Sequence, residues 1–202
     1  MPYSGPTSSP RQLDRASGPP SRIPGDPTTG LLQVTNPSFE FRLEQPADAA
    51  TIDTLHDVTM GPGRFARAAY RLREGVAHDP KLSFVAMKGT RLIGSVRLTP
   101  ITIGKRPALL LGPLAVLGEF AGQGAGKALV RMAVDAARTA GHQVVLLVGD
   151  EPYYGPLGFS RTRPGSVTLP APADPRRILV AGLTPGALDG LAGEAARSSN
   201  TG

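Results

Sequence analysis

The sequence predicts a mixed α/β domain over residues 39–197, with short strands and helices along one folded unit. Two observations carry this prediction. Runs of apolar and β-branched residues recur through the middle of the chain, as in strands. Segments with apolar residues three and four positions apart lie before and after these runs, as in helices that cover a sheet. A chain of 202 residues can form one well-packed domain of this kind.

The domain begins with a strand followed by two helices. Alternating residues predict the strand at Phe39–Leu43, and helical spacing predicts Ala47–Val58 and, after a Gly-Pro-Gly break, Phe65–Gly75. The polar side of the second helix carries three arginines, Arg64, Arg67 and Arg71. Solvation is the simpler explanation of these arginines, and a substrate or cofactor contact is the alternative.

Three strands are predicted next. Leu82–Met87 and Arg91–Ile103 are joined by a tight turn, and Ala108–Val116 follows with Gly112-Pro113 in its middle. Proline cannot donate to a sheet ladder, so the third strand must bulge or lose a neighbour at that point.

A long helix and a buried strand complete the central part of the domain. The helix Gly124–Ala140 has one apolar face, formed by Leu129, Val130, Ala133, Val134 and Ala137. Gly141 is suited to end this helix in a left-handed conformation. The apolar run Gln143–Val148 predicts a strand covered on both faces, and the later pieces near Val167 and at Ile178–Leu183 supply the last strands.

The turn before the long helix is rich in glycine and reads Gly122-Gln123-Gly124-Ala125-Gly126-Lys127. Glycines at a helix start leave backbone N–H groups accessible and let a ligand approach the main chain closely. Those amides carry the positive end of the helix dipole, so the turn can bind phosphate. We expect a pyrophosphate there.

Two common phosphate loops do not fit this turn. A Walker A loop needs a glycine at position 121 and a hydroxyl residue at 128, and both positions are alanine. A dinucleotide-binding fingerprint needs a third glycine at position 127 or 129, depending on the register, and these positions are Lys127 and Leu129.

The segment Leu114–Leu129 resembles the acyl-CoA loop of the GNAT superfamily of N-acetyltransferases. The family pattern is Gln/Arg-x-x-Gly-x-Gly/Ala, which corresponds here to Ala121, Gly124 and Gly126. Ala121 departs from the pattern, and we expect it to weaken binding of CoA without abolishing it. The resemblance implies a mostly antiparallel, twisted sheet of six to seven strands that splits between strands four and five, flanked by about four helices.

A second element supports the same resemblance. Tyr154-Gly155-Pro156-Leu157-Gly158-Phe159 is similar to the family's Tyr-x-x-x-Gly-Phe element. The resemblance implies that Tyr154 donates a proton to the departing CoA thiolate, a task that suits a phenol with a pKa of about 10. The alternative is that Tyr153 and Tyr154 are ordinary half-buried aromatics, and Tyr153 is a second candidate for the same role.

The resemblance also implies where acetyl-CoA binds. The freed backbone of Leu114, Ala115 and Val116 would pair with the pantetheine arm and polarise the thioester carbonyl. The remaining cofactor-binding positions are Gly122, Gln123, Gly124, Ala125, Gly126, Lys127, Ala128 and Tyr154. An acceptor amine would then attack the thioester directly in a ternary complex.

No general base stands out in the sequence. Asp150 is the first candidate, as a base or as a contact for a cationic acceptor. Four further candidates are weaker, and a water-relayed base is an equal alternative to all of them. These four are Glu151, Glu119, His56 and His78.

Composition limits the remaining possibilities. The chain has no cysteine, which excludes disulfides, a cysteine nucleophile and thiolate metal sites, and we expect no metal. No apolar run approaches the roughly 18 residues of a membrane span, so we expect a cytoplasmic protein with no membrane partner. Residues 1–38 are rich in Pro, Ser and Gly, and we expect them and the tail 198–202 to be disordered.

Three functions remain open at this point. The first is an acetyl-CoA-dependent N-acetyltransferase acting on a primary amine of a small molecule or a protein. The second is a non-catalytic acyl-CoA-binding sensor or interaction module of the same fold. The third, suggested by the net charge of +6, is a nucleic-acid-binding protein, but no nucleic-acid motif accompanies that charge. Many members of the family form homodimers, which leaves a homodimer open here.

Overall fold

A computed structural model describes residues 39–63 and 68–198 of the chain. The predicted disorder of residues 1–38, and of all but Ser198 in the tail 198–202, lies outside the described residues, as do Arg64 and Arg67 of the predicted second helix. Four helices are described, α1 (Ala49–Met60), α2 (Ala68–Arg73), α3 (Ala125–Thr139) and α4 (Glu151–Tyr154). Nine strands are described, β1 (Glu40–Leu43), β2 (Phe84–Lys88), β3 (Arg91–Ile103), β4 (Arg106–Val116), β5 (Val144–Val148), β6 (Ser160–Arg161), β7 (Val167–Thr168), β8 (Ile178–Gly182) and β9 (Gly193–Arg197).

The observed elements follow the predicted ones, with differences at their ends. The bounds of β3 agree with the prediction, whereas β2 begins two residues later because Pro80–Leu82 forms a 3-10 turn. Asp79 stabilises that turn by accepting a hydrogen bond from the Lys81 amide at 2.8 Å. A similar turn at Pro46–Asp48 delays the start of α1 to Ala49. Proline in the first positions of each turn has the φ that the turn requires.

The strands form a mixed sheet in the order β1-β2-β3-β4-β5-β8-β6. This path has seven strands, within the predicted six to seven, and β7 and β9 extend the sheet to nine. β9 pairs with the end of β3 at Ile101–Ile103, and β7 pairs with β9. Two pairs are parallel, β4 with β5 and β7 with β9, while the other pairs are antiparallel. The mostly antiparallel sheet is therefore confirmed.

Helices cover both faces of the sheet. The apolar face of α3 packs on one side, in a cluster that includes Val145 and Leu147 of β5. Leu72 of α2 packs on the other side with Val144 and Leu146, the alternate residues of the same strand. The prediction that this strand is covered on both faces is thus confirmed. Gly141 ends α3 with a φ of +83°, as predicted.

The sheet splits beside the bulge in β4. β4 pairs with β5 only at two positions, Leu109 with Val145 and Leu110 with Leu146. On its other edge, the register with β3 shifts so that Gly112 and Pro113 together oppose Arg97. Gly112 has a φ of +122°, which favours glycine. The predicted bulge and the predicted split between strands four and five are both present.

Candidate active site

A cleft of about 1020 Å³ opens where β4 and β5 part. Its floor is the bulge of β4, its far side is the end of β5, and α1 and α2 form the opposite wall. The split sheet contributes Leu111, Gly112, Pro113, Leu114, Leu147, Val148, Gly149, Asp150 and Tyr154. The helical wall contributes Asp53, His56, Asp57, Met60, Ala68, Ala69, Tyr70 and Arg73.

Tyr154 projects from α4 at the end of β5 and lines the cleft. Its ring packs edge-on against Phe159, with centroids 5.9 Å apart, and lies close to the backbone of Gly149, where any Cβ would overlap it. Burial, followed by the charges of Tyr153 and Asp150, raises the pKa of Tyr154 to about 12. The phenol is therefore a neutral hydrogen-bond donor throughout the physiological range of pH.

Tyr153 faces the glycine-rich turn, not the cleft. A Cβ on Gly126 would lie 2.6 Å from the Tyr153 hydroxyl and 3.6 Å from Cγ2 of Val116. The Tyr153 ring also lies 5.9 Å from Nζ of Lys127 and 4.8 Å from the Tyr154 ring. The two adjacent tyrosines thus connect the start of α3 with the cleft, one on each side.

The glycine-rich turn has the backbone that its sequence predicts. Gly122 and Gly124 have φ values of +76° and +94°, which favour glycine, while a Cβ at Gly126 would require the Tyr153 hydroxyl to move. The first bond of α3 runs from the Ala128 amide to the Gly124 carbonyl at 3.0 Å. The amides of Ala125, Gly126 and Lys127 precede that bond and point out of the helix start.

The predicted cofactor-binding residues differ in what they can offer a ligand. Ala125 and Ala128 are buried, and the Ala128 amide already bonds to Gly124, so Ala128 contributes little beyond packing. Gln123 orders the turn, because its side-chain Nε2 donates to the Glu119 carbonyl at 2.9 Å. Gly122, Gln123, Gly124 and Lys127 are exposed.

The three predicted cofactor-binding residues of β4 also differ in their position relative to the cleft. Leu114 lines the cleft. Ala115 is 4% exposed and packs beneath α1, whereas Val116 lies beneath the start of α3 near Gly126. Of these three residues, only Leu114 borders the cleft; any role of the other two is through their backbone.

Three of the five candidate bases line the cleft, namely Asp150, His56 and His78. Each has a partner. Asp150 is exposed and pairs with Nε of Arg177 at 3.1 Å, and Nε2 of His56 lies 3.2 Å from Oγ of the buried Ser95. Nε2 of His78 lies 3.3 Å from Oε1 of Glu44.

The other two candidates lie away from the cleft and are held in ion pairs. Glu151 pairs with Arg161 at 2.6 Å, and Glu119 pairs with Arg91 at 2.7 Å. Neither borders the cleft. Among the described residues, no group of three His, Asp or Glu side chains is arranged to hold a metal ion.

A charged network missing from the sequence prediction supports the helical side of the cleft. Nε and Nη2 of Arg97 donate to the carboxylate of the buried Glu44 at distances down to 2.6 Å. Burial alone would raise the pKa of Glu44, but the hydrogen bonds of His78 and Arg97 lower it to about 2. The side chain of Arg97 is therefore fixed beside the bulge.

Arg73 is a further cleft residue that sequence reasoning missed. It lies four positions after Ala69 and three before Val76, which both line the cleft, so helical spacing could have identified it. Its Nη2 lies 3.0 Å from the position that a Cβ on Gly112 would occupy. Burial and the nearby charge of Arg97 lower the pKa of Arg73 to about 10.

The chain matches the Acetyltransferase (GNAT) family over residues 50–159 and belongs to that family. It is 30% identical over 138 residues to the uncharacterized N-acetyltransferase YjhQ of Escherichia coli K12. The aligned residues cover 66% of this chain and 76% of YjhQ. Membership of this family supports the classification of the protein as an acyltransferase.

Two solved structures of the family are similar to this fold. One is the GNAT family N-acetyltransferase YhbS from Escherichia coli in complex with CoA, with a TM-score of 0.68, 26% identity, and coverage of 79% of this chain and 89% of that one. The other is a GNAT family acetyltransferase from Brucella melitensis in complex with acetyl-CoA, with a TM-score of 0.57 and 26% identity. The match covers 80% of this chain and 96% of that one.

Proposed function

We propose that this protein transfers the acetyl group of acetyl-CoA to a primary amine that binds in the cleft. The observation that carries the proposal is the arrangement of the split sheet. The glycine-rich turn lies on one side of Tyr153, and the cleft with Tyr154 lies on the other. A ligand with a phosphate end and a reactive thioester end can span those two positions.

The diphosphate of acetyl-CoA would bind the amides of Ala125, Gly126 and Lys127 at the start of α3. Free amides and the helix dipole favour a negative charge there. The pantetheine arm would follow the edge of β4 that β5 leaves unpaired after Leu110. Both contacts use the main chain, so neither depends on a particular side chain at position 121.

The acetyl transfer itself would take place in the cleft beside the bulge. The amine nitrogen attacks the thioester carbon, the carbon–sulfur bond breaks, and the amine proton passes to water or to a base. Orientation of the two reactants in one cleft supplies much of the rate enhancement. The cleft volume suits a small molecule or the end of a longer chain.

Tyr154 would stabilise the departing thiolate as a hydrogen-bond donor. A phenol with a pKa of about 12 is a weak acid beside a thiol, whose pKa is about 8.5. Complete proton transfer to sulfur would therefore be uphill, whereas a hydrogen bond that strengthens as charge develops on sulfur would not be. This role is a modification of the proton donation that the resemblance to the family implies.

A non-catalytic acyl-CoA sensor is the second candidate. The observation that favours it is that Asp150, His56 and His78 each have a partner within the protein. A sensor would bind acetyl-CoA and release no CoA with any amine.

Calorimetric titration with acetyl-CoA, followed by a CoA-release assay over a panel of amines, tests the proposal. Gly124→Glu and Gly126→Glu should abolish binding, because each places bulk and a negative charge at the diphosphate. Gly118→Glu is the matched control, since Gly118 is exposed and a Cβ there meets nothing within 4 Å. Unchanged affinity in the first two variants would contradict the assignment of the turn, and binding without release would favour the sensor.

A further inference from the structure

The guanidinium of Arg73 lies in the wall of the cleft with no anionic partner among residues 39–63 and 68–198. Its Nε is buried and has no hydrogen-bond partner within that part of the chain. A buried cation without a compensating charge is costly. An anion that enters the cleft would remove that cost.

Arg97 and Glu44 do not compensate the charge of Arg73. Arg97 is close enough to lower the pKa of Arg73, so it adds positive charge. The carboxylate of Glu44 already accepts three hydrogen bonds from Arg97 and lies 3.3 Å from His78. Among the described residues beside the bulge of β4, the guanidinium of Arg73 is therefore a positive charge that Glu44 does not balance. Arg73 remains protonated at neutral pH, because its pKa is still about 10.

We propose that Arg73 binds a carboxylate of the acceptor, so that the acceptor is an amine that also carries a carboxylate, as an amino acid does. This inference rests on the proposed acetyltransferase function and names its substrate class. The planar guanidinium matches a carboxylate with two parallel hydrogen bonds. One guanidinium balances one negative charge.

The rest of the cleft opposes a more highly charged anion such as a phosphate ester. Four aspartates line it, Asp53, Asp57, Asp150 and Asp174, of which Asp150 already pairs with Arg177 and Asp174 with Arg176. Together these carboxylates favour the ammonium form of an amine and repel a dianion. A molecule with one amine and one carboxylate fits the cleft, because its carboxylate complements Arg73 and its amine complements the aspartates.

The test compares amino acids with the corresponding amino acid amides, which lack the carboxylate. We expect the wild-type protein to prefer the acids in kcat/KM. Arg73→Met should lower kcat/KM for the acids about 10- to 100-fold, as expected for loss of a charge-assisted hydrogen-bond pair, and should leave the amides unchanged. Arg71→Met is the matched control on the same helix, because Arg71 is exposed and its guanidinium lies 3.5 Å from Glu74.

Thermal stability provides a readout that needs no turnover. Arg73→Met should raise the melting temperature of the ligand-free protein, because it replaces a half-buried charge, with no anionic partner among the described residues, by an apolar side chain. N-acetylated amino acids should raise the melting temperature of the wild type but not of the variant. Arg73→Lys keeps the charge without the planar fork and should retain only part of the preference for acids.

Equal losses on acids and amides, or a lower melting temperature of Arg73→Met, would overturn the proposal. So would a wild-type protein that does not prefer acids. A failure of the acetyltransferase function looks different, since it appears as no acetyl-CoA binding or no CoA release with any amine. The response to N-acetylated amino acids distinguishes the two failures, because it requires neither acetyl-CoA nor turnover.

Discussion

At the scale of single residues, the two adjacent tyrosines have different surroundings. The hydroxyl of Tyr153 lies over the first turn of α3, whereas Tyr154 lines the cleft beside Gly149 and Asp150. Burial raises the pKa of both phenols, most strongly that of Tyr154. Two residues of the same type, one position apart, therefore suit different tasks. We propose that the diphosphate of the cofactor binds on the side of Tyr153 and that the reaction takes place on the side of Tyr154.

Substitution of Tyr154 tests this assignment. Tyr154→Phe should lower kcat about 10- to 100-fold, because it removes a hydrogen bond that forms to the charged leaving group. The affinity for acetyl-CoA, measured by calorimetry, should stay the same. Tyr153→Phe provides the comparison at the neighbouring position. Loss of kcat in Tyr153→Phe but not in Tyr154→Phe would transfer the role to Tyr153.

At the scale of elements, the start of α3 depends on its contacts with the segment after β5. Gly124 is a glycine because its φ is positive, and Gly126 is a glycine because Tyr153 occupies the space beside it. The first reason is local to the turn, and the second is a tertiary contact between α3 and α4. The two glycines should therefore respond differently to a change at position 153.

A double-mutant cycle measures that difference. Gly126→Ala should destabilise the protein, because its Cβ would lie 2.6 Å from the Tyr153 hydroxyl. Tyr153→Phe should rescue Gly126→Ala, since the clashing oxygen is absent. Gly124→Ala should cost about 1–2 kcal/mol through its left-handed conformation, and Tyr153→Phe should not rescue it. The free energies of unfolding in urea give the coupling, and equal coupling at both glycines would contradict this explanation.

At the scale of the whole molecule, one buried carboxylate connects distant parts of the chain beside the cleft. Glu44 follows β1, Arg97 belongs to β3, and His78 precedes β2. Their contacts hold the first strand and the helical connection against the centre of the sheet.

Among the described residues, no helix has the length and apolar character required to cross a membrane.

Because of this network, the stability of the fold decreases as the pH falls in the acidic range. Hydrogen bonds from His78 and Arg97 lower the pKa of Glu44 from 4.5 to about 2, against the effect of burial. Because the folded pKa is the lower one, the carboxylate contributes fully above pH 4.5, and its contribution of about 3 kcal/mol is lost as the pH falls toward 2.

Glu44→Gln therefore should destabilise the protein at neutral pH, and its difference from the wild type should shrink between pH 4.5 and 2. Urea unfolding at several pH values measures this difference. Glu74→Gln is the control, because Glu74 is exposed and its contact with Arg71 is 3.5 Å long. A difference for Glu44→Gln that does not change with pH would contradict the proposed network.

Much of the fold could be predicted because its signals are local. The apolar face of α3, the glycines before it and the run that forms β5 each depend on residues a few positions apart. The bulge of β4 follows from a proline within a strand. Strands β6 and β7 were not delimited, since two-residue strands are fixed by their partners and not by a periodic pattern.

The sequence by itself determined the bulge of β4 and the glycine-rich turn, because a proline within a strand and glycines at a helix start act locally. The split of the sheet and the place of Tyr154 were implied by the resemblance to the GNAT family. Only the tertiary structure decided which partner each charged side chain has. It paired Asp150 with Arg177 and Glu44 with Arg97, and it left Arg73 in the cleft wall without an anion among the described residues. Such pairs join residues far apart in the chain, and their free energies depend on burial and distance, which no local pattern encodes.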